Sequence, residues 1–238
     1  MKNKVLIGIL LVAIIAVIIY IGNTGAVVSA VGESNLEVQP DLVKVYLNLE
    51  ARDKSSKVAK DSLDVISDDV QIALLRIGLS KEDIKMQSYN IYQEYDWRNG
   101  EQIEKGLVAS QQIVVETNEF DLTAEIVDAA IDNGALVSWI NFELSDEKQR
   151  EYKVKALEEA GKDANKKAEA TAAGLGKKLG KLVSVESQDF NYGPYRYFEA
   201  TAEGGVADSS VKQAALDIAP KEINVNARIS VKYKLRSF

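Results

Sequence analysis

Apolar and polar residues alternate along the first third of the chain in a way that predicts a strand, a helix and a hairpin. In residues 37–51 apolar side chains occupy every second position from Val43, which predicts a half-buried strand. Residues 54–77 repeat apolar positions every three to four residues, which predicts a helix that ends at Gly78. Two Tyr- and Val-rich segments then flank Asn99-Gly100, the usual signal of a type I′ hairpin. The predicted hairpin strands are 84–97 and 105–117.

The second half of the chain repeats this kind of pattern. A short helix at 119–132 precedes the further elements, which are a strand at 136–144, a helix at 146–173, and strands at 181–189 and 222–236. Residues 190–220 are predicted to be irregular. The order strand, helix, strand, strand therefore occurs twice, and it indicates a diverged internal duplication. The predicted fold class is α+β, with two β-α-β-β units whose helices pack on one face of a largely antiparallel sheet.

The long helix carries an alanine stripe in which small residues recur every four positions. Its members are Tyr152, Ala156, Ala160, Ala164, Ala168 and Ala172. Small side chains allow a partner to approach closely, and the favoured partner is the sheet of the same domain. The alternative is a helix–helix contact between subunits. The last strand, from Ile223 to Leu235, has a clean apolar face and, as an edge strand, would also invite pairing between copies.

An apolar run at residues 5–21 determines where the rest of the chain is expected to reside. It follows Lys2 and Lys4, and the next positive charge is Lys44. A helix of this length crosses most of a ~30 Å hydrocarbon core. The positive-inside rule then predicts a single-pass membrane protein with a cytoplasmic N-terminus and extracytoplasmic residues 27–238. The predicted organisation is therefore an anchor and linker at 1–26 and one exported domain at 27–238.

A cleavable signal peptide is the alternative reading of the same run. Small residues before Ala26 and Ala30 resemble cleavage sites. However, the apolar core of a signal peptide is usually shorter, about 7–15 residues. Cleavage after Ala30 would also divide a strand-like run from Val27 to Glu33. The uncleaved anchor is therefore favoured, and both readings place residues 27–238 outside the cytoplasm.

Composition excludes several classes of chemistry. The chain has no cysteine and no histidine, so disulfides, thiolate nucleophiles, imidazole bases and imidazole metal ligands are all absent. The exported part carries a net charge of about −9, which argues against nucleic-acid binding. No catalytic, cofactor-binding or metal-binding residues are predicted, and no cofactor is expected.

Two features are the remaining candidates for a ligand or a reaction. The carboxylate pairs Asp68-Asp69 and Glu158-Glu159 are the visible material for a hydrolase. Neighbouring helix residues point about 100° apart, which favours solvated surface charge for both pairs. The aromatic loop 190–198 is the second feature, with Phe190, Tyr192, Tyr195, Tyr197 and Phe198. It predicts either a ligand- or lipid-binding module or a loop that folds back over its own core.

Several motifs together give the chain a family resemblance. V-x-A-V-G-E-S at residues 28–34 and V-Q-P-D at 38–41 resemble the start of SIMPL-domain proteins. The similarity continues through I-K-M-Q-S-Y at 84–89, D-A-A-I-D-N-G-A at 128–135, F-E-L-S-D at 142–146, A-x-x-x-G-x-x-L-G at 172–180 and the alternating strand at 223–235. Each motif is loose, but their order and spacing over residues 27–236 are specific. Glu33 and Ser34 depart from the pattern, where a second glycine is usual.

The resemblance implies an α+β fold, an envelope location and self-assembly. Members of this family include bacterial periplasmic proteins linked to oxidative-stress defence and a ring- or channel-shaped periplasmic immunogen. The family offers no agreed catalytic residues. The expected function is that of a non-enzymatic, membrane-anchored scaffold or stress-protective factor of the envelope that forms homo-oligomers. Its alternatives are the ligand- or lipid-binding module and, less favoured, a carboxylate-dependent hydrolase.

Overall fold

The computed structural model describes Ile14 and residues 25–98, 100–199, 208–216 and 219–237. Its described secondary structure comprises eight strands, four α-helices and one short 3₁₀ helix, Lys81–Asp83. The strands are β1 (Val27–Val38), β2 (Leu42–Asp53), β3 (Ile84–Arg98), β4 (Glu101–Thr117), β5 (Leu136–Glu143), β6 (Lys178–Tyr192), β7 (Tyr195–Glu199) and β8 (Ile223–Arg236). The helices are α1 (Ser56–Arg76), α2 (Leu122–Asp132), α3 (Asp146–Gly174) and α4 (Asp208–Leu216).

These elements form two compact units. The first unit takes the described parts of Met1–Glu37, Arg150–Tyr192 and Asn224–Phe238, and the second takes those of Val38–Gln149 and Gly193–Ile223. The first contains a three-stranded sheet in the order β1-β8-β6, and the second a five-stranded sheet in the order β3-β4-β2-β5-β7. The α+β class with antiparallel sheets is confirmed.

The second unit buries an apolar core between one face of its sheet and three helices. The alternating residues Val43, Val45, Leu47 and Leu49 of β2 are fully buried there. Side chains of α1, α2 and α4 complete the same core, among them Leu63, Ile126 and Val211. Burial of this alternate set is what holds β2 in register between β4 and β5. The hairpin is also confirmed, because β3 and β4 pair as far as Arg98 and Glu101.

The first unit packs α3 against its sheet through the alanine stripe. Ala156, Ala160, Ala164, Ala168 and Ala172 are all at most 1% exposed. A Cβ added at Gly32 of β1 would lie 2.0 Å from the Ala160 carbonyl oxygen and 2.7 Å from the Ala164 Cβ. The helix therefore rests directly on β1, as the favoured interpretation predicted. The alternative use of the stripe, as a contact between subunits, is wrong because these side chains are already buried.

The proposed second repeat needs correction. The strand at 136–144 was expected to share a sheet with the strands at 181–189 and 222–236, but β5 pairs with β2 in the other sheet. The N-terminal strand β1 takes its place beside β8. Leu235 donates its backbone N–H to the Ala26 carbonyl, and Arg228 bonds Glu33, so β1 and β8 run antiparallel. With β1 as the first strand of its unit, the first three strands of each unit have the same order in the sheet. This order is β6-β8-β1 in the first unit and β3-β4-β2 in the second.

Two further expectations differ from the structure. The last strand, β8, is the central strand of its sheet and not an edge, so both of its backbone edges are already paired within the unit. The region 190–220 is less irregular than expected, since it contains β7 and α4. Among the described residues, none of the helices has the length and apolar character needed to cross a membrane. The predicted span 5–21, apart from Ile14, lies outside the described residues.

Candidate functional site

A charged cluster occupies the face of the five-stranded sheet opposite the helical core. Lys44 of β2 lies between two carboxylates, with its Nζ 3.3 Å from Glu116 Oε1 and 3.1 Å from Glu143 Oε2. Lys85 of β3 forms an ion pair with the second oxygen of Glu116. The four side chains come from four adjacent strands, and the strand register places them together. Alternation in β2 points Lys44 away from the core residues on either side of it.

The electrostatics of this cluster favour the charged forms of Lys44 and Glu116. Partial burial opposes the charge on Lys44, but hydrogen bonding to Glu143 and the charges of Glu143 and Glu116 outweigh it and raise the pKa. Burial likewise opposes the charge on Glu116, but Lys85 and Lys44 lower its pKa overall. Burial and the nearby Glu143 raise the pKa of Tyr46. The shifts of Lys44 and Glu116 both favour the charged form, so this pair is suited to holding strands together and not to proton transfer.

The two carboxylate pairs of the sequence lie where solvated surface charge was expected, on exposed helix faces. Asp68-Asp69 lies on an exposed face of α1, and Glu158-Glu159 lies on an exposed face of α3. Glu158 forms an i,i+4 ion pair with Lys162. In the described part of the chain, no group of three or more Asp or Glu side chains is arranged to hold a metal ion.

The aromatic loop 190–198 folds back over its own core for most of its length. Tyr195, Tyr197 and Phe198 pack against the core of the second unit. Phe142 stacks on Tyr195 at a centroid distance of 6.2 Å and meets Tyr197 edge-on at 5.6 Å. Phe190 differs, since it lies on β6 beneath the Lys153 ammonium of α3, 5.4 Å from its centroid. The larger part of the aromatic set is therefore used for packing.

An open cavity of about 760 Å³ lies in the first unit beside Phe190. Its lining is mostly polar and consists of Glu33, Ser34, Asn35, Phe190, Asn191, Asn226, Ala227 and Arg228. Glu33 and Arg228 pair within it at 2.7 Å. Its volume falls in the range of small-molecule sites, but Phe190 is the one aromatic side chain in this lining.

The four sheet edges differ in how their backbone is protected. On β1, Asp163 Oδ2 accepts the Glu33 backbone N–H at 2.9 Å, and Lys167 donates to the Val31 carbonyl at 3.2 Å. These two side chains also pair with each other at 2.7 Å. The edge strand β7 has only five residues, and β6 shows three register irregularities against β8. Charged caps, short length and bulges are the usual means of preventing edge-to-edge pairing.

The edge strand β3 is long, apolar and exposed. It has 15 residues, and no residue from Met86 to Gln93 is charged. Its exposed apolar side chains are Met86, Tyr89, Ile91, Tyr92, Tyr95 and Trp97. Met86 is 63% exposed and Trp97 is 68% exposed, although large apolar side chains are usually covered. Sequence reasoning identified this strand but not its position at an edge, because strand order is not visible in the residue pattern.

Comparison with known proteins gives one family and several sequence relatives. The family model of SIMPL, "Protein of unknown function (DUF541)", matches residues 28–233. The chain is 26% identical over 189 residues to "Uncharacterized protein YggE" of Escherichia coli strain K12, covering 78% of this chain and 76% of that protein. It is 25% identical over 205 residues to the protein of the same name from Edwardsiella ictaluri, covering 86% and 84%. The chain belongs to the SIMPL family.

Proposed function

We propose that this protein is a membrane-anchored, extracytoplasmic member of the SIMPL family that assembles from identical copies. In this proposal it acts in the cell envelope as a non-enzymatic scaffold or stress-protective factor. The apolar run 5–21 supports the anchor, because two lysines precede it and an acidic chain follows it. The observation that carries the assembly is the exposed edge of β3, which has no charged residue from Met86 to Gln93.

The charge arrangement supports a role without catalysis. The chain has neither histidine nor cysteine. Lys44 and Glu116 form an ion pair on one face of the five-stranded sheet, and the shifts of both pKa values favour the charged forms. Protection against stress would then act through binding or through the integrity of the envelope, and not through turnover of an oxidant.

Binding of a small polar ligand in the cavity beside Phe190 is the second candidate function. The volume of about 760 Å³ favours it. However, the described lining of this cavity is open and includes one aromatic side chain, Phe190. It therefore supports ligand binding less strongly than the five aromatic residues of loop 190–198 did in the sequence. A hydrolase is the weakest candidate, because both carboxylate pairs lie on exposed helix faces.

The molecular mass of the full chain tests the assembly. In mild detergent, light scattering combined with absorbance separates the mass of the protein from that of the micelle. The expected protein mass is at least twice the 26.1 kDa of one chain at micromolar concentration. A mass of one chain at high micromolar concentration would refute the assembly proposal.

A further inference from the structure

We propose that two copies of this chain join through the free edges of β3, antiparallel, about a two-fold axis at Asn90. The inference rests on the proposed function, because it names the surface and the register of the self-assembly proposed there. It commits to a second copy as the partner. The reason is that the uncharged segment of β3 is self-complementary at its two charged ends.

The first step is that β3 has the edge best suited to pairing. Within the described ranges, β4 is the one strand that pairs with β3, which leaves the outer backbone groups of β3 facing away from the sheet. The other edges are capped by Asp163 and Lys167, short, or interrupted three times, whereas the two interruptions of β3 against β4 leave residues 88–94 in continuous register. An exposed, long and uncharged edge is the kind that accepts another strand.

The second step concerns the two charges that bound the uncharged segment. Lys85 contacts Glu116, and Glu94 contacts Arg52 with Oε2 3.4 Å from Nε. Both therefore point to the sheet face that carries the charged cluster. Gln87 is an extra residue in the pairing with β4, since Met86 is opposite Ile113 and Ser88 is opposite Gln112. This bulge restores the alternation needed to bring Lys85 and Glu94 to one face.

The third step is the register that follows. With Asn90 opposite Asn90 of the second copy, Tyr89 lies opposite Ile91 and Ser88 lies opposite Tyr92. Once Gln87 is passed over as the bulge, Met86 lies opposite Gln93 and Lys85 lies opposite Glu94. The Asn90 pair lies on the two-fold axis and occurs once, and the axis generates each of the other pairs twice. Two Lys85–Glu94 ion pairs thus lie at the ends of the segment, and two Tyr89–Ile91 pairs lie on the helix-side face. Both kinds of cross-strand pair are favourable.

A strand pair of this length is a modest interface. Ten residues from each copy bury less than the ~1,200–2,000 Å² typical of stable complexes. We therefore expect weak pairing of the free exported part and strong pairing where the membrane run raises the local concentration. The full chain is for this reason the form to test.

Single cysteine variants test the register, because the natural chain has no cysteine. In Asn90→Cys the two thiols would face each other across the two-fold axis, with Cα atoms about 4.5–5.5 Å apart, within disulfide range. Ser88→Cys is the matched control, because its two copies would be four residues out of register, about 13 Å apart. Mild oxidation of the full chain in detergent should give at least a five-fold higher yield of covalent dimer for Asn90→Cys.

Charge reversal tests the partner contacts separately from folding. Lys85→Glu or Glu94→Lys alone should weaken dimerisation on the order of ten-fold, since each places like charges opposite each other twice. The double variant should restore dimerisation. Each single variant also disturbs a contact within its own chain, with Glu116 or with Arg52. The double variant repairs neither of these, so its recovery would report the contact between copies.

The outcomes distinguish this inference from the proposed function. Preferential cross-linking of Asn90→Cys together with recovery in the double reversal supports both. An oligomeric mass with equal or greater cross-linking of Ser88→Cys, or with no cross-linking, overturns the β3 register and leaves the assembly intact. A monomeric mass refutes both. Thermal unfolding of each variant shows whether lost dimerisation reflects lost folding, and an unfolded single variant is replaced by Lys85→Gln or Glu94→Gln.

Discussion

At the scale of single residues, Gly32 explains why the long helix is lined with alanine. A side chain at this position has no space, because its Cβ would lie 2.3 Å from the Ala164 backbone nitrogen and 2.0 Å from the Ala160 carbonyl oxygen. These are backbone atoms, which cannot rotate away. The glycine in β1 and the alanine stripe in α3 are therefore two sides of one close contact. Ser34 adds a bond across the same contact, since its hydroxyl donates to the Ala156 carbonyl at 2.8 Å.

Replacement of Gly32 should therefore destabilise the first unit. In Gly32→Ala the helix must move off β1, and overpacking of this kind costs about 1–3 kcal/mol. Gly25→Ala is the matched control, because nothing lies within 4 Å of its added Cβ, and its stability should change by less than ~0.5 kcal/mol. Urea unfolding followed by circular dichroism measures both. Equal stability of the two variants would contradict the close contact.

At the scale of elements, the residue pattern predicted those strands and helices that bury large side chains on one face. The bounds of α3 and β8 agree with prediction to within one residue at each end, because long alternation or a long stripe defines them. The strand β1 was noted only as a strand-like run. Its inward residues are Val28, Ala30, Gly32 and Ser34, and this small set gives little apolar contrast because the helix packs so closely.

The assignment of strands to sheets could not be predicted, for a different physical reason. Strand pairing depends on which backbone edges meet, and the residue pattern of a strand does not specify its neighbour. Only the structure shows that β5 extends the sheet of the second unit and β1 that of the first. The edge position of β3 could not be predicted for the same reason. The uncharged segment of β3 was readable in the sequence, but its place at an edge was not.

The charged cluster predicts a specific pH dependence of stability. The pKa of Glu116 is lower in the folded chain than its ordinary value of 4.5. Its stabilising contribution is therefore fully present above about pH 4.5 and is lost as the pH falls through the folded pKa. The wild type should be more stable than Glu116→Gln near neutral pH. That difference should close as the pH falls below about 4.5 and through the lowered pKa of Glu116, as measured by urea unfolding at several pH values.

An exposed carboxylate of the same unit provides the control for this measurement. Glu119 follows β4 directly and is exposed. Glu119→Gln removes the same kind of group without removing an ion pair to Lys44 or Lys85. Its stability should remain close to that of the wild type across the range. A difference for Glu116→Gln that stays constant with pH would contradict the ionised cluster.

At the scale of the whole molecule, the two units contribute different surfaces to the proposed function. The second unit carries the exposed β3 edge, whereas the first carries the capped β1 edge and the polar cavity. In the proposed assembly, Asp163 and Lys167 block the β1 edge, and the open edge of β3 is the one that joins two copies. An assembly built this way gains from any device that holds the copies on one surface and in one orientation. The run 5–21 is the segment of the chain suited to that.

The anchor itself is the last prediction. If residues 5–21 span the bilayer uncleaved, the protein should begin at Met1 and remain in the membrane pellet at high salt and at alkaline pH. The double change Ile14→Arg and Ile15→Arg should release it, since each arginine at the centre of a span costs about 2.5–3.5 kcal/mol. Val27→Arg, at an exposed position of β1, should stay in the pellet. An N-terminus near Val27 or Val31 would show a cleaved signal instead, and the assembly would then have to hold without a tether.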